Sequence, residues 1–144
     1  MRQLTIGKWQ IDGASFRQAE DSQAEFKIKL APELMHKADY TVTIPDFGLP
    51  DPQDAANMVK AMKPYTHVFM GCMGGIGRTG MMIGVVLMTY RAQRRKTLGY
   101  RWNRLLRRTE AEFSPADPVD WVRENFRPDA IETDAQEEFV RGIT

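Results

Sequence analysis

Cys72 and Arg78 stand six residues apart in Gly71-Cys72-Met73-Gly74-Gly75-Ile76-Gly77-Arg78-Thr79-Gly80, a ten-residue stretch that holds five glycines and the chain's one cysteine. A thiol becomes a nucleophile when it ionises, and a helix N-terminus and a nearby guanidinium both favour that form. Glycines between a buried strand and a helix expose successive backbone N–H groups, with the positive end of the helix behind them. Such a loop takes an anion, most often phosphate. The planar fork of Arg78 suits phosphate bidentately, which lysine does less well. Thr79, directly after it, can donate a hydrogen bond to the sulfur when sulfur is the leaving group.

Three chemistries use a loop of this kind. The Walker A loop needs glycine where Cys72 stands and lysine where Arg78 stands, so two of its fixed positions are missing. Gly75-Ile76-Gly77-Arg78-Thr79-Gly80 satisfies the dinucleotide pattern G-x-G-x-x-G, but that site also needs an acid about 20 residues later. None stands between Met81 and Thr109. The third pattern is C-x5-R-[ST], complete from Cys72 to Thr79, with Gly75 in its middle. A buried, inert thiol in a tight turn is the bland alternative, and a turn has no need of an arginine at that spacing.

The stretch resembles the signature loop of the cysteine-dependent protein tyrosine and dual-specificity phosphatases, in their small form. The resemblance implies that the amides of Met73, Gly74, Gly75, Ile76, Gly77 and Arg78 surround the phosphate oxygens. Arg78 would grip two of them, and Cys72 would attack phosphorus to give a cysteinyl-phosphate. It also implies a general acid on an upstream loop written I-x-D-x-x-x-P, which Ile44-Pro45-Asp46-Phe47-Gly48-Leu49-Pro50 fits, so Asp46 is the candidate acid and later base. Gly48 would supply flexibility if that loop closes over substrate. Asp51 and Asp54 compete nearby, but Asp51 reads as a helix N-cap and Asp54 as a first-turn acid.

Arg127-Pro128-Asp129-Ala130-Ile131-Glu132-Thr133-Asp134-Ala135-Gln136 is similar to the R-P-x-A-I-E-T-x-x-Q stretch of the small members. In larger tyrosine phosphatases a glutamine-bearing loop near this place orients the hydrolytic water. Thr133 as an N-cap and Gln136 as a packed side chain explain the residues equally well, so neither Glu132 nor Gln136 joins the catalytic set. Two departures stand out: Gly71 replaces the histidine that precedes the nucleophile in the family, and no counterpart of the tyrosine-bearing recognition loop is found. The pocket is expected to be shallow.

The elements that must position these residues follow from patterning. Leu4, Ile6 and Trp9 give a β-like opening, Phe26 to Leu30 alternates with period two, and Tyr40 to Ile44 is a third β candidate. Gly13 to Ala24 has no clear assignment. Ala55, Met58, Val59 and Met62 recur at helical spacing up to Lys63, and Tyr65 to Met70 reads as a buried central strand. Helices are expected over Met81 to Arg95, around Leu98 to Leu106, from Pro118 through Arg123, and from Asp134 to Val140. The expected fold is α/β: a central, mostly parallel sheet of about four to five strands flanked by helices, protein-tyrosine-phosphatase-like, as one domain over residues 1–144.

At 144 residues the chain is the size of one globular domain, and its formal charge of +1 gives no global argument for a nucleic-acid or membrane partner. One cysteine forms no internal disulfide, and with two histidines it makes no multi-ligand zinc cluster. A reducing cytoplasm, no metal and no cofactor are expected. Val68 to Tyr90 is apolar, but Arg78 within it argues against a membrane span, and the N-terminus shows no signal-peptide pattern. His36, His67 and most of the methionines read as structural residues. Arg91, Arg94, Arg95, Lys96, Arg101, Arg104, Arg107 and Arg108 form a basic belt with no acid among them.

The expected function is that of a metal-independent phosphomonoester hydrolase of the dual-specificity type, acting as a monomer on phosphorylated proteins. Two rivals remain: a phosphatase for a phosphorylated nucleotide or RNA end, suggested by the belt, and a catalytically silent phosphate-binding module, suggested by Gly71.

Overall fold

The computed structural model describes residues 1–97 and 117–143. Its sheet is built around the most apolar strand of the chain. That strand, β5 (His67–Cys72), is buried from Val68 onward and lies third in the order β1-β2-β5-β3-β4. β1 (Arg2–Ile6) and β2 (Trp9–Ser15) form an antiparallel hairpin at one edge, while β2, β5, β3 (Phe26–Lys29) and β4 (Tyr40–Thr41) all run parallel. The turn of the hairpin holds Gly7 at φ 58°, where an added Cβ would lie 2.6 Å from the Tyr90 ring. The mostly parallel five-stranded sheet agrees with the expected fold class.

Several boundaries differ from the sequence expectation, each for a local reason. The segment Gly13 to Ala24, without periodicity in the sequence, continues β2 to Ser15 and then forms a 3₁₀ helix, Phe16–Asp21. Periodicity fails there because β2 is buried on both faces from Ile11 through Ala14, as an interior parallel strand is. β5 starts at His67 rather than Tyr65, because the Tyr65 amide is tied back to Met62 O at 3.0 Å. Of Tyr40 to Ile44, only Tyr40 and Thr41 pair as a strand, although Val42 and Ile44 remain buried.

Helix α1 (Pro52–Met62) follows its sequence signals closely. Asp51 caps it, accepting from the Gln53 amide at 2.7 Å, Pro52 opens it, and Ala55, Met58, Val59 and Met62 face the core. A cap of this type contributes about 1 kcal/mol. Helix α2 (Gly77–Thr97) starts four residues earlier than expected: the Gly80 amide already bonds to Ile76 O at 2.8 Å, so the end of the glycine-rich loop is the first helical turn. It packs against β5 and against α1, α3 (Pro118–Asn125) and α4 (Asp134–Arg141). The helix expected around Leu98 to Leu106 and the second half of the basic belt, Arg101, Arg104, Arg107 and Arg108, lie outside the described residues.

Candidate active site

β5 ends at Cys72 and α2 begins at Gly77, so the loop between them sits at the C-terminal edge of the sheet, where open α/β sheets bind ligands. Gly75 has φ 74°, and a Cβ there would run into the backbone of Ala14 and Ser15 at the end of β2. Glycine at that point lets the loop curl back over its own floor. Among the described residues, the amides of Met73, Gly74, Ile76, Gly77 and Arg78 take no acceptor from the protein. A run of N–H groups of this kind at a helix start is an anion cradle.

The Cys72 side chain is 3% exposed, and its Sγ accepts from the Gly75 amide at 3.2 Å and from the Thr79 hydroxyl at 3.1 Å. The Thr79 hydroxyl in turn accepts from the Cys72 amide at 3.0 Å. That bond orients it. With a lone pair committed to the amide, its single proton is directed at the sulfur. Two donors therefore converge on Sγ from the loop and from the helix.

Arg78 is buried, and its guanidinium is fully specified on one end. Nη1 donates to Ile44 O at 2.9 Å and to Glu33 Oε2 at 3.1 Å, while Nη2 donates to Glu33 Oε1 at 2.5 Å. Burial by itself disfavours the charged guanidinium, but the Glu33 carboxylate outweighs it, and the net shift is upward. Reciprocally, the hydrogen bonds from Arg78 hold the Glu33 carboxyl below its ordinary range against a smaller opposing effect of burial. Asp46 Oδ1 lies 3.7 Å from Arg78 Nη2 in an exposed carboxylate. Asp46, Cys72, Arg78 and Thr79 thus meet at one place, whereas Asp51 and Asp54 are occupied at the start of α1.

Sequence reasoning missed Glu33. Its signal was its position just beyond the C-terminal end of β3, a strand that neighbours β5. Gln136 is also more than packing. It is 1% exposed, completes a capping box with Thr133, and donates from Nε2 to Gly48 O at 3.2 Å. Beside Asp46 the side chains of Phe47 and Leu49 are exposed, and a cleft of about 320 Å³ opens beside Gly74, lined among others by Arg2, Gln18 and Arg127. His67, read as structural, pairs at 2.7 Å with the buried Asp12, which also accepts from Ser22. Among the described residues no helix is long and apolar enough to cross a membrane.

A parallel-sheet core whose central strand delivers a cysteine into an amide cradle, closed by an arginine at the next helix, defines the protein-tyrosine-phosphatase-like class. Residues 18–140 match the family described as "PTP-SAK: Swiss Army Knife protein, DSP-PTPase phosphatase domain", and the chain belongs to that family. It is 30% identical over 103 residues to the uncharacterized protein MJ0215 of Methanocaldococcus jannaschii and 29% identical over 103 residues to MJECL20 of the same organism. Each alignment takes in 69% of this chain, which spans about half the length of these curated relatives, 50% and 54%.

Solved structures share the fold. Tk-PTP in its active form superposes with a TM-score of 0.66 at 20% identity, covering 96% of this chain and 92% of that one. OH1 from the Orf virus, described as a tyrosine phosphatase with triple substrate specificity, gives 0.59 at 12% identity over 97% and 84% of the two chains. The core catalytic domain of the PP-IP phosphatase SIW14 from S. cerevisiae gives 0.53 at 14% identity over 99% and 85%.

Proposed function

We propose that this protein hydrolyses phosphomonoesters without a metal, through a cysteinyl-phosphate, and that its substrates are phosphorylated proteins of the tyrosine or dual-specificity kind. The observation that carries this reading is the convergence of the Gly75 N–H and the Thr79 O–H on Cys72 Sγ at the base of an unpaired amide cradle. In the first step the Cys72 thiolate attacks phosphorus, the cradle and Arg78 hold the phosphoryl oxygens, and Asp46 gives a proton to the departing oxygen. In the second step Asp46 takes a proton from water as the water attacks phosphorus. The Cys72 sulfur leaves, stabilised by the Thr79 hydroxyl. The exposed apolar side chains of Phe47 and Leu49 beside Asp46 suit a phosphate-bearing amino-acid side chain better than they suit a sugar.

The test is turnover of p-nitrophenyl phosphate in the presence of a chelator. Activity abolished in Cys72→Ser and retained in Asp51→Asn supports the assignment, as does a loss of about 10²-fold or more in Asp46→Asn on phenyl phosphate, whose leaving group needs the proton. Full activity in Asp46→Asn on that substrate removes that residue from its role, and no turnover in the unaltered protein leaves a phosphate-binding module. Phosphopeptides compared with 5′-phosphorylated RNA separate the two substrate classes.

A further inference from the structure

The amide of Gln136 has only one possible orientation. Its Oε1 accepts from the backbone N–H of Glu132 at 2.9 Å and of Thr133 at 3.3 Å, so the atom on that side must be the oxygen. The opposite atom, Nε2, therefore faces Gly48 O as a donor. Gly48 uses its other backbone group to close a turn, N–H to Pro45 O at 2.8 Å, and Asp46 sits inside that turn. A Cβ on Gly48 would lie 2.9 Å from Pro45 O, so glycine here allows a close approach within the turn.

The segment that carries Asp46 is thus suspended at two points. Ile44 O accepts from Arg78 on one side, and Gly48 O accepts from Gln136 on the other. Backbone strain marks both ends of the second anchor. Phe47, next to Gly48, has φ 58°, and Ile131, next to Glu132, has φ 61°. Non-glycine residues persist in that region only where their surroundings over-determine them. Gln136 bonds to the peptide group that follows Ile131 and to the carbonyl of Gly48, the residue after Phe47.

We infer that Gln136 is a positioning residue for Asp46: by tying Gly48 to the start of α4 it holds the acid beside the guanidinium in advance, so that no swinging flap has to deliver it. This rests on the function proposed above for the role of Asp46, and deepens it. It differs from the water-orienting role of a glutamine in larger tyrosine phosphatases. Oε1 already accepts two N–H groups and the side chain is 1% exposed, which leaves it no lone pair to offer a water.

The experiment compares two leaving groups in Gln136→Met and Gln136→Asn. Phenol is a basic leaving group that needs its proton in the transition state, and p-nitrophenol needs it much less. The expected result is a loss of about tenfold in kcat on phenyl phosphate and less than about twofold on p-nitrophenyl phosphate, with no further loss when either change is added to Asp46→Asn. Thr133→Ala, which removes the cap hydroxyl but not the Gln136 amide, keeps the wild-type ratio between the substrates. Equal losses on both substrates, or additive losses with Asp46→Asn, overturn the inference. Amide hydrogen exchange at Gly48, whose N–H bonds to Pro45 O, reads without turnover whether the anchor holds the Asp46 turn shut: it should quicken in both variants, and unchanged protection also overturns the inference. Absence of any wild-type turnover counts against the phosphatase reading instead, and the exchange measurement still decides whether Gln136 steadies the turn that carries Asp46.

Discussion

Glu33 grips the outer end of the Arg78 guanidinium with both carboxylate oxygens, at 3.1 and 2.5 Å, and leaves Nε–H and one Nη2–H of the same planar group without a hydrogen-bond acceptor among the described residues, Asp46 standing off at 3.7 Å. The two unused donors lie on one edge, which is the edge a phosphate takes bidentately. A carboxylate on the far end fixes the plane and direction of that edge while the Ile44 carbonyl fixes its depth. Glu33→Ala is therefore expected to lower kcat/KM by about tenfold, equivalent to about 1.4 kcal/mol of transition-state stabilisation, and to weaken competitive inhibition by vanadate. Unchanged inhibition would show that Arg78 finds its direction unaided.

The same pair makes a prediction about acid. Arg78 lowers the folded-state value of the Glu33 carboxyl, so the pair's contribution to stability is complete above the unfolded carboxyl value, near pH 4.5, and fades as pH falls through the lower folded value. Thermal unfolding of the wild type and of Glu33→Gln, followed from pH 7 downward, should show a gap in melting temperature that narrows below about pH 4.5. A gap that stays constant through this range would mean that charge plays no part in the contact. Because Glu33 is partly exposed, solvent screening keeps the gap small.

Thr79 is fully buried, and its hydroxyl serves the Cys72 amide and the Cys72 sulfur at once. Only the second step of the proposed reaction has sulfur as a leaving group, so removing the hydroxyl should slow that step more than the first. Thr79→Ala is expected to lower steady-state turnover by about tenfold or more and to produce a burst of p-nitrophenol matching the amount of enzyme. Thr79→Ser keeps the hydroxyl and should show neither effect. Rapid-quench measurement checks this, and a Thr79→Ala variant without a burst would place the hydroxyl's contribution before the intermediate. A drop in melting temperature is also expected, since the Cys72 amide would lose its acceptor at a cost of about 1–3 kcal/mol.

What could be read from the sequence was what is local in it. The loop from Cys72 to Thr79 is continuous, and six residues of spacing already determine that a thiol and a guanidinium can share one cradle. Helix α1 carries its own cap, opening proline and apolar period, so its limits were nearly right. Glu33 and Gln136 were illegible because their importance is tertiary. Glu33 meets Arg78 across 45 residues and Gln136 meets Gly48 across 88, and neither separation leaves a periodic mark. The end of the interior strand β2, Gly13 to Ser15, carries no assignment for the opposite reason, since burial on both faces erases alternation. Gly48, singled out in the sequence for flexibility, is here in close contact with Pro45 and bonded to Gln136.

Gly71, where the resembling phosphatases carry histidine, has a packing reason in this chain. β2 runs parallel to β5 with Ala14 opposite Gly71, and then turns sharply into the 3₁₀ helix at Phe16. A Cβ on Gly71 would lie 2.7 Å from Phe16 N, 2.8 Å from Ala14 O and 2.8 Å from Phe16 Cα, all backbone atoms that no side-chain rotation can move away. The Gly71 carbonyl also accepts from the Leu30 amide at 2.8 Å, so β5 has little freedom to retreat on its other side. Gly71→Ala should therefore destabilise by about 1–3 kcal/mol, as overpacked cores do, which for a domain of this size lowers the melting temperature by roughly 2–12 °C. Restoring the family's residue with Gly71→His should cost more and lower activity, because the strand that carries Cys72 would be pushed away from the floor on which Gly75 rests. Thermal unfolding and p-nitrophenyl phosphate turnover of both variants test this. A Gly71→His protein that folds normally and turns over faster than the wild type would show that glycine was retained for some reason other than this contact.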